Sequence, residues 1–117
     1  KMMSETLKEI VEDSETVSDN IRFEASQEKL LVKASSELSN VNMELAKSDG
    51  ALLELEVKEA SAATFNLNYL GAMVKAGSAT SEVASIEFST NMPLKLEFEM
   101  SEQGKLMYFL APRIEAE

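Results

Sequence analysis

The stretch ATFNLNYLGAMVKAG, residues 63–77, changes from strand to helix periodicity within a few positions. Ala63 and Phe65 alternate with polar neighbours, which predicts a short strand. Apolar residues then recur on one helical face, at Leu67, Leu70, Met73 and Val74. Asn66 is placed to cap this helix, because its side-chain oxygen can accept from the first free N–H groups. Gly77 lies where a C-terminal glycine would end the helix.

Three segments with a period of two follow this helix and predict three strands. They are centred on Ile86 and Phe88, on Leu94, Leu96 and Phe98, and on Leu106, Tyr108 and Leu110. The run Ser101-Glu102-Gln103-Gly104 is a turn signal between the last two. This half of the chain therefore predicts the order strand, helix and three strands.

The preceding half repeats this order. Residues 4–17 predict a helix with Leu7, Ile10, Val11 and Val17 on one face, capped by Ser4 and ended by residues 18–20. Alternating segments at 21–25, 30–34, 41–45 and 53–57 predict strands, with turns at 26–28 and 48–50. The tripeptide at 21–23, Ile-Arg-Phe, follows its helix as Ile-Glu-Phe at 86–88 follows the other.

The repeated order predicts one α+β domain over residues 1–117, with two helices packed on antiparallel sheet. It is a duplicated β-α-β-β-β unit whose first strand is reduced to Lys1-Met2-Met3, so we expect the chain to begin within a domain. Open sheets leave edge strands, and an exposed edge invites pairing with another chain.

Composition weighs against catalysis. The 117 residues contain no cysteine and no histidine, which excludes disulfides, thiolate nucleophiles and imidazole bases. The net charge of −10 favours a solvated surface, although a basic partner is a second interpretation. The longest apolar run, residues 106–111, is too short for a membrane helix, and no signal-peptide pattern opens the chain. We therefore expect an intracellular protein without membrane contact.

The closing segments MPLKLEFEM, residues 92–100, and SEQGKLMYFLAPRIE, residues 101–115, resemble the last two strands and tail of PCNA, the sliding clamp of archaea and eukaryotes. Residues 17–25, 36–45 and 65–76 fall in the family order at similar spacing. The resemblance covers essentially the whole chain, as the second of two clamp domains. It implies a DNA polymerase processivity factor that encircles duplex DNA, needs no cofactor and catalyses nothing. Such a protein is cytoplasmic in archaea and nuclear in eukaryotes.

The resemblance implies a docking site for peptides of DNA polymerases, the clamp loader, ligases and nucleases. Its residues here would be Pro93, Phe109, Leu110, Ala111, Pro112 and Ile114. An extended tail suits strand addition, and small apolar side chains suit aromatic anchors. Because the family's first domain and interdomain linker are absent from this sequence, we expect this chain alone to bind such peptides weakly.

The resemblance also implies edge strands at residues 39–47 and 105–111 that join neighbouring domains. The interface residues would be Asn40, Val41, Asn42, Met43, Glu44, Leu106, Met107, Tyr108 and Phe109. Two such edges predict head-to-tail self-association, as a dimer or a closed ring of about six copies. Lys8 and Lys75 are the implied DNA-facing residues, although acidic neighbours make the first helix a poor phosphate surface.

Two alternatives remain open. A stand-alone half-clamp could use its edge strands to cap or inhibit full clamps. Carboxylates at i,i+2 spacing, Glu54 with Glu56 and Glu97 with Glu99, could serve a metal-dependent hydrolase. A solvated sheet face explains these pairs better, because 21 acidic residues produce them by chance.

Overall fold

The computed structural model describes residues 1–46, 52–100 and 104–113. Two helices of 12 residues and eight strands make up this part of the chain. In chain order they are β1 Met2–Met3, α1 Ser4–Glu15, β2 Asn20–Ala25, β3 Lys29–Ser35, β4 Asn40–Ala46, β5 Ser61–Asn66, α2 Leu67–Ser78, β6 Val83–Glu87, β7 Leu94–Glu99 and β8 Lys105–Leu110. Neither helix in these ranges is long and apolar enough to cross a membrane.

The strands form two antiparallel sheets, with orders β1-β6-β7-β8 and β4-β3-β2-β5. Each sheet takes the first strand of one repeat and three strands of the other. Met2 is therefore paired with Ala84, and Ile21 with Phe65. The α+β class and the duplicated unit are confirmed, and β1 covers two of the three residues, Lys1-Met2-Met3, predicted for the first strand.

The core lies between the helices and the inner faces of both sheets. α1 contributes Leu7, Ile10 and Val11, which are at most 5% exposed. Where the two sheets meet, the rings of Phe23, Phe65 and Phe88 pack with centroids 5.9–6.5 Å apart. Burial of apolar side chains is the main driving force for this arrangement, at about 25 cal/mol per Å².

The predicted limits of α1 were wrong. Met3 precedes the helix in extended conformation, and Ser4 is its first residue rather than its cap. Ser4 is buried, and its N–H donates to the Glu82 carbonyl oxygen at 2.8 Å, which ties the helix start to the residue before β6. The helix ends at Glu15, and the Val17 and Ser18 N–H groups both turn back to the Ser14 carbonyl oxygen.

In α2 the cap prediction was right and the stop prediction was wrong. Asn66 Oδ1 accepts from the N–H groups of Asn68 at 2.9 Å and Tyr69 at 3.2 Å. Gly77 is helical and buried, and the helix continues through Ser78. A Cβ atom on Gly77 would overlap the ring of Phe98 in β7. This glycine therefore permits the close approach of helix and sheet.

The strand predicted over residues 53–57 is absent, since this segment is irregular. Leu53 and Glu54 donate their N–H groups to one acceptor, the Lys1 carbonyl oxygen, so no ladder forms. Leu52 is buried and Leu53 is 54% exposed, so the predicted inward position of Leu53 is wrong, whereas Leu55 and Val57 are more buried than Glu54 and Glu56. The predicted turns at 48–50 and 101–103 lie outside the described residues, and Gly104 has the left-handed φ of +85° that favours glycine.

Candidate docking site and edge strands

The end of the β7–β8 pair holds most of the residues implied for docking. Leu94 is paired with Leu110, so Pro93 lies beside Ala111. Pro93 and Ala111 are exposed, Pro112 is half-buried and Leu110 is buried. Ile114 lies outside the described residues. The structure therefore brings a proline, a small residue and the end of an edge strand together.

Phe109 differs from its neighbours in where its side chain lies. It is paired with Lys95, on the sheet face opposite to the one that carries Leu94 and Leu110. Its side chain is 65% exposed, which is unusual for a phenylalanine. An exposed aromatic side chain beside an accessible strand edge suits protein contact.

The tail after β8 crosses to the second sheet. The Arg113 N–H donates to the carbonyl oxygen of Thr64 in β5 at 2.7 Å, and these two residues form an isolated antiparallel bridge. Ala111 and Pro112 therefore span from one sheet to the other. Sequence patterns did not reveal this crossing, because no local period marks Thr64 as a pairing residue.

A charged cluster lies next to this anchor. Arg22 Nε donates to Glu24 at 2.8 Å, Lys33 Nζ lies 3.1 Å from the same carboxylate, and Arg22 also reaches the Thr64 hydroxyl at 3.4 Å. The hydrogen bond from Arg22, followed by that from Lys33, lowers the pKa of Glu24 below its usual range. The lowered pKa keeps the Glu24 carboxylate ionised at neutral pH, beside the point where the tail meets β5.

The two predicted edge strands are edges of their sheets in the described part of the chain. β4 is paired with β3, and β8 with β7. Each strand alternates between an exposed outer row and an apolar inner row. The outer rows are Asn40, Asn42 and Glu44 in β4, and Lys105, Met107 and Phe109 in β8. The inner rows are Val41, Met43 and Leu45 in β4, and Leu106, Tyr108 and Leu110 in β8.

The outer surface of the two helices is unevenly charged. Five carboxylates of α1 are exposed, at Glu5, Glu9, Glu12, Asp13 and Glu15. Lys8 is half-buried among them, whereas Lys75 is exposed on α2, which carries no acidic residue. Phosphate contact is therefore electrostatically favoured at α2 and disfavoured at α1.

Three of the four carboxylates considered for a metal site, Glu54, Glu97 and Glu99, lie close to a lysine. Lys1 Nζ lies 3.9 Å from Glu54 and 3.4 Å from Glu99, and Lys105 Nζ lies 3.2 Å from Glu97. Among residues 1–46, 52–100 and 104–113, no three acidic side chains form a group that could hold a metal ion. The described residues thus offer no observation in favour of the hydrolase alternative.

The fold is an α+β domain of the sliding-clamp class. It has two strand–helix–strands repeats and two sheets, each with an open edge strand. The chain belongs to the family of the proliferating cell nuclear antigen C-terminal domain, whose model matches residues 1–113. This confirms the resemblance seen in the closing segments.

Relatives described as DNA polymerase sliding clamps come from several organisms. The chain is 38% identical to DNA polymerase sliding clamp 1 of Pyrobaculum aerophilum, over 98% of this chain and 46% of that protein. It is 37% identical to the DNA polymerase sliding clamp of Thermococcus gammatolerans, over 97% of this chain and 45% of that protein. A crystal structure of PCNA from Thermococcus kodakaraensis superposes with a TM-score of 0.85 at 31% identity, covering 96% of this chain and 46% of that one. The chain thus spans about half the length of the curated relatives it matches.

Proposed function

We propose that this chain is one half of a DNA polymerase processivity factor, a clamp that encircles duplex DNA and tethers replication and repair enzymes to it. The observation that carries the proposal is the match to the PCNA C-terminal domain over residues 1–113, with the same fold at a TM-score of 0.85. The clamp catalyses no reaction itself and acts where the DNA is, which in an archaeal cell is the cytoplasm.

Partner peptides of polymerases, the clamp loader, ligases and nucleases dock on the tail. The exposed Phe109 ring and the accessible backbone at Ala111 and Pro112 support this part of the proposal. An extended partner segment can add main-chain hydrogen bonds there, and its aromatic residues can pack against apolar side chains. Pro93 lies beside Ala111 and forms the β7 side of this surface. Ile114 belongs to the proposed site because of the family resemblance alone.

The docking test compares two proteins and one peptide. A peptide of the form Gln-x-x-Leu-x-x-aromatic-aromatic is titrated into this chain alone. It is also titrated into a fusion in which the N-terminal half of the Thermococcus gammatolerans clamp precedes this chain, called the joined protein. We expect about micromolar affinity for the joined protein and binding at least about tenfold weaker for the chain alone, because one wall of the pocket is then missing.

Two variants of the joined protein control this titration. Phe109→Ala is expected to weaken peptide binding by about tenfold or more, as for an aromatic hot spot. Met107→Ala removes another exposed apolar side chain of β8 from outside the docking set and should leave the affinity nearly unchanged. Equal affinity of the chain alone and the joined protein would contradict the proposed pocket.

Lys75 is the residue of this domain that faces DNA, and Lys8 contributes little. The exposed lysine on acid-free α2 and the five carboxylates around Lys8 on α1 support this assignment. One lysine neutralises about one phosphate, which is too little for measurable binding at physiological salt. We therefore expect no gel shift of duplex DNA by the isolated chain, and a clear shift under those conditions would contradict the assignment.

The edge strands β4 and β8 join neighbouring domains when the ring closes. Their open positions and half-buried apolar inner rows support this role. The alternative of a stand-alone half-clamp that inhibits full clamps uses the same edges and stays a prediction. Dissociation of a full clamp on mixing with this chain would favour it.

A further inference from the structure

We propose that Lys95 is a specificity-determining residue of the docking surface, and that its ammonium group selects partner peptides with an acidic residue next to the aromatic anchor. This inference rests on the docking proposed above and names the chemistry of the partners that the surface prefers. It concerns a residue that the resemblance to the clamp family did not include in the site.

Lys95 completes a patch of four residues on the outer face of the β7–β8 pair. Lys95 is paired with Phe109, and Pro93 lies beside Ala111 one step along the same face. Residues two apart on a strand share a face, so Pro93 and Lys95 both lie on the side opposite to the buried Leu94. Three members of this patch are implied docking residues, and Lys95 occupies the remaining corner.

Lys95 and Phe109 are close enough to contact one partner segment together. Residues directly opposite each other in an antiparallel pair have Cβ atoms about 4.5–5.5 Å apart. An extended peptide advances about 3.3 Å per residue. A partner whose aromatic ring packs against Phe109 therefore places the residue before or after that ring within reach of the Lys95 ammonium group.

The Lys95 side chain is accessible and only loosely paired. It is 35% exposed, and its Nζ atom lies 3.7 Å from Oε2 of Glu87, whose side chain is 72% exposed. An ion pair this open to water is weak, because the solvent screens both charges. A carboxylate of a bound partner can therefore join or replace Glu87 at Lys95.

The next row of the same face does not offset this charge. Glu97, two residues further along β7, has Nζ of Lys105 at 3.2 Å from its own carboxylate. Met107, opposite Glu97, is uncharged and 44% exposed. The exposed Phe109 ring thus has a cation directly opposite it, and the acid in the neighbouring row already has a lysine beside it.

Two parts of the Lys95 side chain can contact a partner, and their effects are separable. The hydrocarbon stem can cover apolar surface, whereas the ammonium group attracts a carboxylate and repels another cation. The stem would contact acidic and basic peptides alike. The selectivity therefore belongs to the ammonium group, and it should weaken as salt screens the charges.

The test uses three versions of the peptide Gln-x-x-Leu-x-x-aromatic-aromatic, in which the residues on both sides of the aromatic pair are glutamate, glutamine or lysine. Each is titrated into the joined protein at about 50 mM and about 500 mM salt. At the lower salt we expect the glutamate peptide to bind about fivefold more tightly than the lysine peptide, with the glutamine peptide between them. At the higher salt this difference should shrink.

Four variants of the joined protein assign the preference to the charge. Lys95→Met keeps the length of the stem and should bind the three peptides about equally, whereas Lys95→Arg should keep the order and Lys95→Glu should reverse it. Glu87→Gln removes the competing carboxylate and should widen the difference. Lys75→Met, on α2, makes the same change in net charge as Lys95→Met away from this face and should keep the preference. Circular dichroism of every variant checks folding.

A preference for the glutamate peptide that survives Lys95→Met would overturn the role of Lys95. Equal binding of the three peptides by the parent, with Phe109→Ala still weakening each of them, would also overturn it and would leave the docking proposal standing. If no peptide binds the joined protein, or if Phe109→Ala changes no affinity, docking at this surface fails and the role of Lys95 fails with it.

Discussion

Gly77→Ala is expected to lower the free energy of unfolding by about 2 kcal/mol, although alanine is the better helix former. The new methyl group would overlap the Phe98 ring, and overpacking in a closed core costs about 3 kcal/mol. The helix propensity of alanine returns at most about 1 kcal/mol. Steric overlap therefore outweighs propensity, and α2 must move away from β7.

The matched control is Gly71→Ala in the same helix. A Cβ atom there lies 3.1 Å from the Glu15 Oε1 atom, at the end of a flexible exposed side chain that can move. We expect this variant to be as stable as the parent or more stable by up to about 1 kcal/mol. Urea denaturation measures both, and equal stabilities for the two variants would show that α2 does not approach β7 so closely.

A second variant identifies the clashing partner. Phe98→Leu removes ring volume, so it should cost stability in the parent but less in the Gly77→Ala background. A non-additive double variant would assign the loss to contact between Gly77 and Phe98. Strict additivity would place the cause elsewhere in the helix.

Phe23→Ala is expected to have the largest effect on stability, a loss of about 4 kcal/mol. Phe23 is fully buried, and its ring centroid lies 6.1 Å from that of Phe65 and 5.9 Å from that of Phe88. Removing the ring leaves a cavity where the two sheets meet. Since small domains have about 5–15 kcal/mol in total, this loss would remove a quarter or more of the free energy of unfolding.

Phe109→Ala is the matched control for Phe23→Ala. The same substitution at a 65% exposed ring should change stability by less than about 0.5 kcal/mol. If Phe23→Ala does not fold, Phe23→Leu keeps part of the volume and should still lose about 1.5 kcal/mol. Thermal and urea unfolding followed by circular dichroism measure these differences, and similar losses at both positions would contradict the assigned core.

Local periodicity was enough to predict most elements. The alternation at 21–25, 30–34 and 94–98 gave strands in the right places, because each buries one face and exposes the other. Asn66 was recognisable as a cap because its effect reaches only three residues along the chain. These predictions succeeded where the deciding interactions are local.

The errors arose where distant contacts override local patterns. The Ser4 N–H is bonded to the Glu82 carbonyl oxygen, 78 positions along the chain, so Ser4 does not cap the helix. Gly77 is required by the close packing of the Phe98 ring and does not end the helix. The segment after Leu52 has strand periodicity, but its described backbone hydrogen bonds to the first strand region involve only Lys1, the residue before β1. Nor could the Thr64–Arg113 bridge be predicted, since it depends on the assembled sheets.

The family was predictable from the sequence, whereas the geometry of the candidate site was not. The closing segments, residues 92–115, pointed to the clamp family, which the match over residues 1–113 confirmed. Which of these side chains are exposed followed only from the register of β7 with β8. That register places Phe109 on the exposed sheet face and Leu110 on the buried one. The β8 edge therefore offers an exposed aromatic side chain next to the tail.

Processive synthesis tests the central claim most directly. This chain is joined behind the preceding half of the Thermococcus gammatolerans clamp and supplied to a clamp-dependent polymerase and loader on a primed circular template. We expect product lengths close to those given by the native clamp, because the joined protein contains both halves of the proposed ring subunit and of the docking pocket. Products no longer than those without any clamp, from a joined protein that is folded, would contradict the account.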